Sequence, residues 1–243
     1  MKNHYKTIWI SDVHIGTRDC KALLLLDFLK SVSADKIYLV GDIIDGWALR
    51  RRWFWSKEHN LLLRRIIKMS KNTEIILIPG NHDDFMRLYC PIEFGGIKIK
   101  LRDVHETVDG KKLLVVHGDM FDSFLTDNKI FSLLGNIGYD LLLMANNFHH
   151  WLLKFFNKRY WSLSQYVRAK TKKVVNVVKN FENAAMNYAK KKGYDGIVCG
   201  HIHTASIRKD SEVLYVNDGD WVDSCTAACE DFEGNIEIVY WRK

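Results

Sequence analysis

Apolar residues fall along the chain in two rhythms. Short runs rich in β-branched residues occupy residues 7–10, 36–40, 73–78, 113–116 and 196–199, and their length and composition predict buried strands. Between them, residues 21–31 place Leu24, Leu25, Phe28 and Leu29 on one helical face, and residues 59–69 do the same with Leu62, Leu63, Ile66 and Ile67. Strands alternating with amphipathic helices predict an α/β fold with the helices packed on a sheet. Beyond residue 198 the rhythm becomes hairpin-like. Strands are expected at 205–208, 213–217, 225–230 and 236–240, with turn signals at Lys209-Asp210-Ser211 and Glu233-Gly234-Asn235, so this third of the chain reads as antiparallel sheet. Residues 124–192 differ again, with no proline, few glycines after Gly138 and helix-compatible patterning for most of their length. They are expected to form a helical insertion within a single domain spanning residues 1–243, because no repeat, low-complexity tract or Ser/Gly linker marks a second unit.

At 47% apolar, the 243 residues carry too much hydrophobic surface to stay disordered. No stretch approaches the ~20 apolar residues of a membrane span. The opening Met1-Lys2-Asn3-His4-Tyr5-Lys6 runs straight into Thr7-Ile8-Trp9-Ile10 without a signal-peptide pattern, so a cytoplasmic address is expected. Cys20, Cys90, Cys199, Cys225 and Cys229 are odd in number and scattered, which fits reduced thiols. Charge changes the picture more. The net charge is +7, and residues 121–192 alone hold 12 Lys/Arg against 4 Asp/Glu, a local balance of +8. A basic segment of this kind suits nucleic acid, an anionic membrane surface or a phosphorylated substrate.

The candidate chemistry sits where the expected strands end. Ile8-Trp9-Ile10 runs into Ser11-Asp12-Val13-His14, where an extended chain would put Asp12 and His14 on one side. Residues 37–40 run into Gly41-Asp42-Ile43-Ile44-Asp45-Gly46, in which Asp42 can offer both carboxylate oxygens, and a single carboxylate can bridge two metals. Residues 75–78 lead to Pro79-Gly80-Asn81-His82-Asp83-Asp84, residues 113–116 to His117-Gly118-Asp119, and residues 197–199 to Gly200-His201-Ile202-His203. Four imidazoles, two carboxylates and one amide are thereby placed at strand ends. Each motif alone is weak, since an isolated His-x-His is more often a loop feature than a ligand pair. Company changes that reading. His4, His59, His105, His149 and His150 stand outside any motif and read as solvent-facing or core-edge residues. Cys199, Cys225 and Cys229 read as buried small hydrophobes.

In the order DxH, GDxxD, GNHD, HGD and GHxH, these motifs resemble those of the calcineurin-like metallophosphoesterases, from Asp12 to His203. The resemblance implies a four-layer α/β/β/α sandwich and two divalent metal ions. Asp12, His14, Asp42 and His203 would hold one ion, and Asp42, Asn81, His117 and His201 the other, with Asp42 as the bridge. Mixed oxygen and nitrogen ligands suit Mn²⁺ first, with Fe or Zn²⁺ as alternatives. Two ions roughly 3.5–4 Å apart lower the pKa of a bridging water, polarise phosphoryl oxygens and stabilise the charge that develops during in-line attack. His82, beside Asn81 but outside the ligand set, is the candidate general acid, or stabilises the phosphoryl oxygens when the leaving group departs easily. Asp45, Asp83 and Asp119 are expected to orient the ligand imidazoles. A scaffold that has lost its ligands ranks low, because every ligand position is filled by a competent residue.

Within that superfamily the chain looks most like the UDP-2,3-diacylglucosamine diphosphatases of lipid A synthesis, which cleave a UDP-sugar lipid to UMP and a lipid monophosphate. Gly41-Asp42-Ile43-Ile44-Asp45-Gly46-Trp47 resembles that family's GDxxxxW motif, and the insertion lies between HGD and GHxH, where those enzymes carry a lid over the acyl chains. Its aromatic and basic mixture, including Trp151, Phe155 and Trp161 with Arg159, Arg168 and Lys172, suits an anionic amphiphile or a membrane surface. An amphipathic cap that fills its own core is the alternative. Arg50, in the run Arg50-Arg51-Arg52, is a candidate phosphate contact or part of a solvated charge run. The best-known branch of the family has Arg where this chain has His82, so the chain is closer to the general phosphoesterase pattern. The expected substrate is a nucleotide-linked lipid, met at the inner face of the membrane. The alternative is a phosphodiesterase or nuclease of the same superfamily, ranked lower because the basic residues lie in one aromatic-rich segment. Oligomeric state leaves no signal.

Overall fold

The computed structural model describes residues 3–124, 172–210 and 212–242. Its strands are β1 (Asn3–Ile10), β2 (Val32–Val40), β3 (Glu74–Ile78), β4 (Ile92–Phe94), β5 (Ile97–Ile99), β6 (Asp103–Glu106), β7 (Lys112–Val115), β8 (Gly196–Cys199), β9 (Ser206–Asp210), β10 (Val213–Asn217), β11 (Thr226–Glu230) and β12 (Ile236–Tyr240). Its α-helices are α1 (Ala22–Ser31), α2 (Gly46–Arg51), α3 (Lys57–Met69) and α4 (Lys172–Lys191). The strands form a seven-stranded sheet in the order β12-β11-β1-β2-β3-β5-β4 and a five-stranded sheet in the order β6-β7-β8-β10-β9.

Period-2 alternation decides which residue enters which core. Ile8, Ile10, Ile37, Leu39, Ile75 and Leu77 join Leu25, Phe28 and Leu29 of α1 and Leu62, Ile66 and Met69 of α3 on one face of the larger sheet. The intervening Trp9, Tyr38, Val40, Ile76 and Ile78 meet Leu113, Val115, Val198 and Val216 of the smaller sheet. Trp9 pairs with Tyr38 in register and Tyr38 with Ile76, so the large side chains stack across adjacent parallel strands. His105 Nε2 donates to Glu230 Oε2 at 2.8 Å, a buried tie from β6 of one sheet to β11 of the other. The fold is thus the expected α/β sandwich of two sheets.

Helix α3 begins with a reciprocal cap, Ser56 Oγ accepting from the His59 amide and His59 Nδ1 from the Ser56 amide, an arrangement that stabilises a helix start by about 1 kcal/mol. His59 and His105 are therefore buried, partnered residues rather than core-edge ones. The buried face of α3 runs through His59, Leu62, Ile66 and Met69, leaving Ile67, expected inside, 42% exposed.

The C-terminal third keeps the expected antiparallel hairpins, β9 with β10 and β11 with β12, but divides them between the two sheets and adds one parallel pairing. β10 pairs parallel with β8, β9 antiparallel with β10, and β11 and β12 cross to the larger sheet beside β1. Alternation reports which residues are buried and is silent on the partner strand. β9 also runs on to Asp210, into the expected turn. Short elements escape the pattern too: α2, β4, β5 and β6 fall in segments that carry no clear period.

Among the described residues the chain divides into two compact units at Met120 and Ala185. Ala185, Met186 and Ala189 of α4 are buried within the larger unit, and Phe121 and Phe181 pack edge to face within the smaller one. Of the expected insertion at residues 124–192, the structure describes α4, which Lys172 opens. Arg159, Arg168, His149, His150, Trp151, Phe155 and Trp161 lie outside the described residues.

Candidate metal centre

The motif residues follow β1, β2, β3, β7 and β8, and all five chains end on the same side of the sandwich. β1, β2 and β3 are mutually parallel, as are β7 and β8, so loops at their C-terminal ends converge as they do in other parallel sheets. The loops are locked together by backbone hydrogen bonds. Asp12 N donates to Gly41 O at 3.0 Å, Val13 N and His14 N to Asp42 O at 3.0 and 2.9 Å, and Gly200 N to His117 O at 3.0 Å.

Asp12 (φ 52°), His14 (51°), Asp42 (54°), His201 (69°) and His203 (51°) all adopt left-handed backbone conformations. Asp12 and His14 therefore meet because two left-handed residues bracket Val13, and the extended chain expected there does not occur. Such conformations cost of order 1–3 kcal/mol each and persist where surrounding structure imposes them.

Among the described residues three trios bring ligand atoms close enough to hold a metal ion: His14, Asp45 and His82, and the two that unite expected ligands, Asp12, His14 and His203, and Asp42, His117 and His201. Asp42 Oδ2 lies 3.3 Å from His117 Nε2 and 3.9 Å from His14 Nε2, between the latter two trios. Its Oδ1 is committed elsewhere, accepting from the His82 amide at 2.8 Å, so one oxygen, not two, faces both trios. His203 Nε2 stands 3.2 Å from Asp12 Oδ1. The ring orientations are set from behind. His117 Nδ1 donates to Val40 O at 2.8 Å and His14 Nδ1 to Asp45 Oδ2 at 3.0 Å, leaving both Nε2 atoms turned into the pocket.

Asp12 Oδ1, His14 Nε2, Asn81 Oδ1 and His117 Nε2 are buried without hydrogen-bond partners. Buried polar atoms are ordinarily satisfied, and this group of hard oxygen and imidazole donors suits a divalent cation. Glycine is required for the approach. A Cβ at Gly41 would strike the His117 ring, and one at Gly80 would strike both Asp42 and His117.

Electrostatics agree with the donor set. Burial opposes ionisation of Asp12, yet His203 and His117 hold it well below the usual carboxylate range. Burial likewise opposes ionisation of Asp42, which His117, His14 and His82 nonetheless hold far below that range. Burial disfavours a charged His14, but the Asp45 hydrogen bond and the neighbouring Asp42 and Asp12 raise it to about 9. The pocket favours positive charge among ionised carboxylates, and the residues fit a cationic centre.

His82 sits at the rim, its Nδ1 3.0 Å from Asp45 Oδ2 and its Nε2 4.0 Å from Asp42 Oδ2. Trp47 covers its ring at 4.4 Å between centroids. Asp45 thus serves His14 and His82 together, while its Oδ1 accepts from Ala48 N at the start of α2. Two expectations fail here. Asp83 accepts from the backbone amides of Ile43, Asp42 and Gly80, fixing loop backbone and no imidazole. Asp119 accepts from Arg87 Nη2 at 2.8 Å. Arg50, Arg51 and Arg52 are exposed beside Trp47 on and just after α2. Sequence reasoning also passed over Ser11 and the turn Asn217-Asp218-Gly219, although the latter repeats the signal of polar residues directly after a strand.

A two-sheet sandwich with such a pocket at its strand ends defines a metal-dependent phosphoesterase. The family is specific: the chain belongs to the calcineurin-like phosphoesterases, whose model matches residues 5–205, and that family works through a dinuclear metal centre. UDP-2,3-diacylglucosamine hydrolase of Aliivibrio fischeri (strain MJ11) is 23% identical over 238 residues, covering 88% of this chain and 90% of that protein. The DNA polymerase II small subunit of Methanothermobacter thermautotrophicus is 27% identical over 154 residues, 49% of this chain, and the match spans only 31% of that protein's length. A hypothetical protein from Pyrococcus horikoshii OT3 shares the fold, with a TM-score of 0.54 at 10% identity over 98% of this chain and 87% of that one.

Proposed function

We propose that the chain hydrolyses the pyrophosphate bond of a nucleotide-linked lipid of the UDP-2,3-diacylglucosamine type, releasing UMP and a lipid monophosphate. The observation that carries this reading is the likeness to the Aliivibrio hydrolase along nearly the whole of both chains. Asp12, His14, Asp42 and His203 would hold one ion, and Asp42, Asn81, His117 and His201 the other. Mn²⁺ is the ion of choice for this donor set, and the pair would activate water and neutralise charge at the phosphorus. Asp45 Oδ2 lies 3.0 Å from His82 Nδ1, so Nε2 is the atom that would give a proton to a departing oxygen or stabilise the phosphoryl oxygens when the leaving group departs easily. Trp47 with Arg50 and Arg51, three and four residues on along α2, forms one helix face beside His82 suited to an aromatic base and its phosphate. Arg159, Arg168 and Lys172 belong to the proposed lid, where the +8 segment would meet anionic lipid at the inner face of the membrane. Among the described residues no helix is long and apolar enough to cross a membrane.

A second reading, a phosphodiesterase or nuclease acting on nucleic acid, draws on the DNA polymerase subunit match and the exposed arginine run. Mn²⁺-dependent turnover of UDP-2,3-diacylglucosamine, with products resolved by mass, separates the two. UMP and lipid monophosphate are the expected products. Cleavage of single-stranded DNA or an aryl phosphodiester, with that lipid untouched, would overturn the lipid reading and leave the metal centre standing.

A further inference from the structure

Asp12 turns one oxygen toward the pocket and gives the other to the protein. Oδ1 has no hydrogen-bond partner, whereas Oδ2 accepts from the His201 amide at 2.9 Å and from the Ser11 hydroxyl. Ser11 Oγ also lies 2.6 Å from Asp218 Oδ1 and 3.2 Å from Gly219 O. Asp12 and Asp218 are fully buried and Ser11 is 1% exposed. A serine hydroxyl carries a single proton. With that proton given to Asp12, the short contact to Asp218 is a hydrogen bond only if Asp218 supplies its own, and burial does push the Asp218 carboxyl well above its ordinary range.

The segment carrying Asp218 grips both neighbouring loops. Asn217 Nδ2 donates to Gly200 O at 2.7 Å, Asp218 N to Cys199 O at 3.2 Å, and Trp221 N to Asp12 O at 3.0 Å. A Cβ at Gly200 would collide with Ser11 Oγ and the Asp12 carboxylate, so the three loops close on one point. Without the Ser11 hydroxyl, one amide alone would restrain a carboxylate whose terminal torsion is intrinsically broad.

We propose that Ser11 and Asp218 are positioning residues for the half of the centre built on Asp12, His14 and His203: the chain Asp218, Ser11, Asp12 sets the carboxylate rotation that presents Oδ1 to the ion. This rests on the dinuclear reading above. Groups of this kind behind a ligand typically change metal affinity roughly 10–100-fold.

The test is calorimetric Mn²⁺ titration of the metal-stripped protein, with electron paramagnetic resonance of the loaded forms. Wild type takes up two ions with a spin-coupled signal. Ser11→Ala weakens one ion by roughly 10–100-fold while the other stays within about twofold, and the coupled signal is lost at limiting Mn²⁺. Asp218→Asn, whose amide N–H can donate to Ser11 Oγ, keeps both ions near wild-type affinity. Asp218→Ala behaves like Ser11→Ala, and should it fail to fold, the serine and asparagine variants decide. Two ions bound with unchanged affinities in Ser11→Ala would overturn the relay alone. Fewer than two ions in wild type would overturn the dinuclear reading and the relay with it.

Discussion

The floor and the rim of the pocket are built differently. On the floor, Asp12, Asp42 and His117 are at most 2% exposed, and each atom turned away from the pocket has a protein partner: Asp12 Oδ2, Asp42 Oδ1 and His117 Nδ1 are all hydrogen-bonded. At the rim, the His82 side chain is 27% exposed and Trp47 41%, and Arg50, Arg51 and Arg52, which follow Trp47 in the chain, are exposed as well. The floor is over-determined by packing, so its chemistry is fixed with the fold. The rim is held by a few contacts and can be altered for a new substrate without disturbing the sheets. This division explains why a family model and a donor set define the reaction class here, while the substrate has to be argued from fewer residues.

The contrast breaks most sharply at Asp42. Its Oδ2 faces both trios, so Asp42→Ala should strip both halves of the centre at once. Metal ions contribute several kcal/mol of charge stabilisation, and each 1.36 kcal/mol is tenfold in rate, so kcat/KM should fall by roughly a thousandfold or more. Elemental analysis after Mn²⁺ loading should find less than one ion per chain in a variant whose circular dichroism matches wild type. Retained metal and turnover would place the centre elsewhere.

Next in size is His82→Ala, which tests whether the rim takes part in chemistry. General acid catalysis contributes typically 10²–10⁴-fold, and a nitrophenolate leaving group needs no proton. The variant should lose activity in roughly that range on an alkyl phosphodiester, whose departing alkoxide needs the proton. It should lose far less on an aryl ester, as on a sugar-lipid pyrophosphate whose departing phosphate monoester has a pKa of about 6. Equal losses on the alkyl and aryl esters would assign His82 to stabilising phosphoryl oxygens instead of protonating the leaving group.

How much of this was legible beforehand follows the same division. The five loops that carry the candidate ligands were visible because each follows a strand whose apolar run is short and bounded, and β8, β10 and β12 lie where alternation placed them. The left-handed residues were not, since nothing local distinguishes Asp12 from an aspartate in extended chain. That conformation is imposed by hydrogen bonds to Gly41 and Asp42 on the neighbouring strand's loop. Asp83 and Asp119 were misassigned for a related reason. A carboxylate near a histidine in sequence is free to turn to backbone amides or to an arginine, and here both do. Ser11 and Asp218 lie 207 residues apart, and only the crossing of the chain between sheets brings them together.

The smallest expected effect is the most discriminating for the rim. Trp47 lies on the first turn of α2 with its ring tilted 36° over His82. Two roles are open to that contact: holding the imidazole or receiving part of the substrate. Asp45 Oδ2 lies 3.0 Å from His82 Nδ1 and is itself held in place by His14, so removing the indole should leave the imidazole near its carboxylate. Trp47→Ala should therefore leave kcat nearly unchanged and raise KM about fivefold, the equivalent of about 1 kcal/mol of aromatic contact. Steady-state kinetics on the same substrate reads the split directly. A fall in kcat at constant KM would make Trp47 a positioning residue for His82, and the pocket's rigid construction would then extend from the floor to the rim.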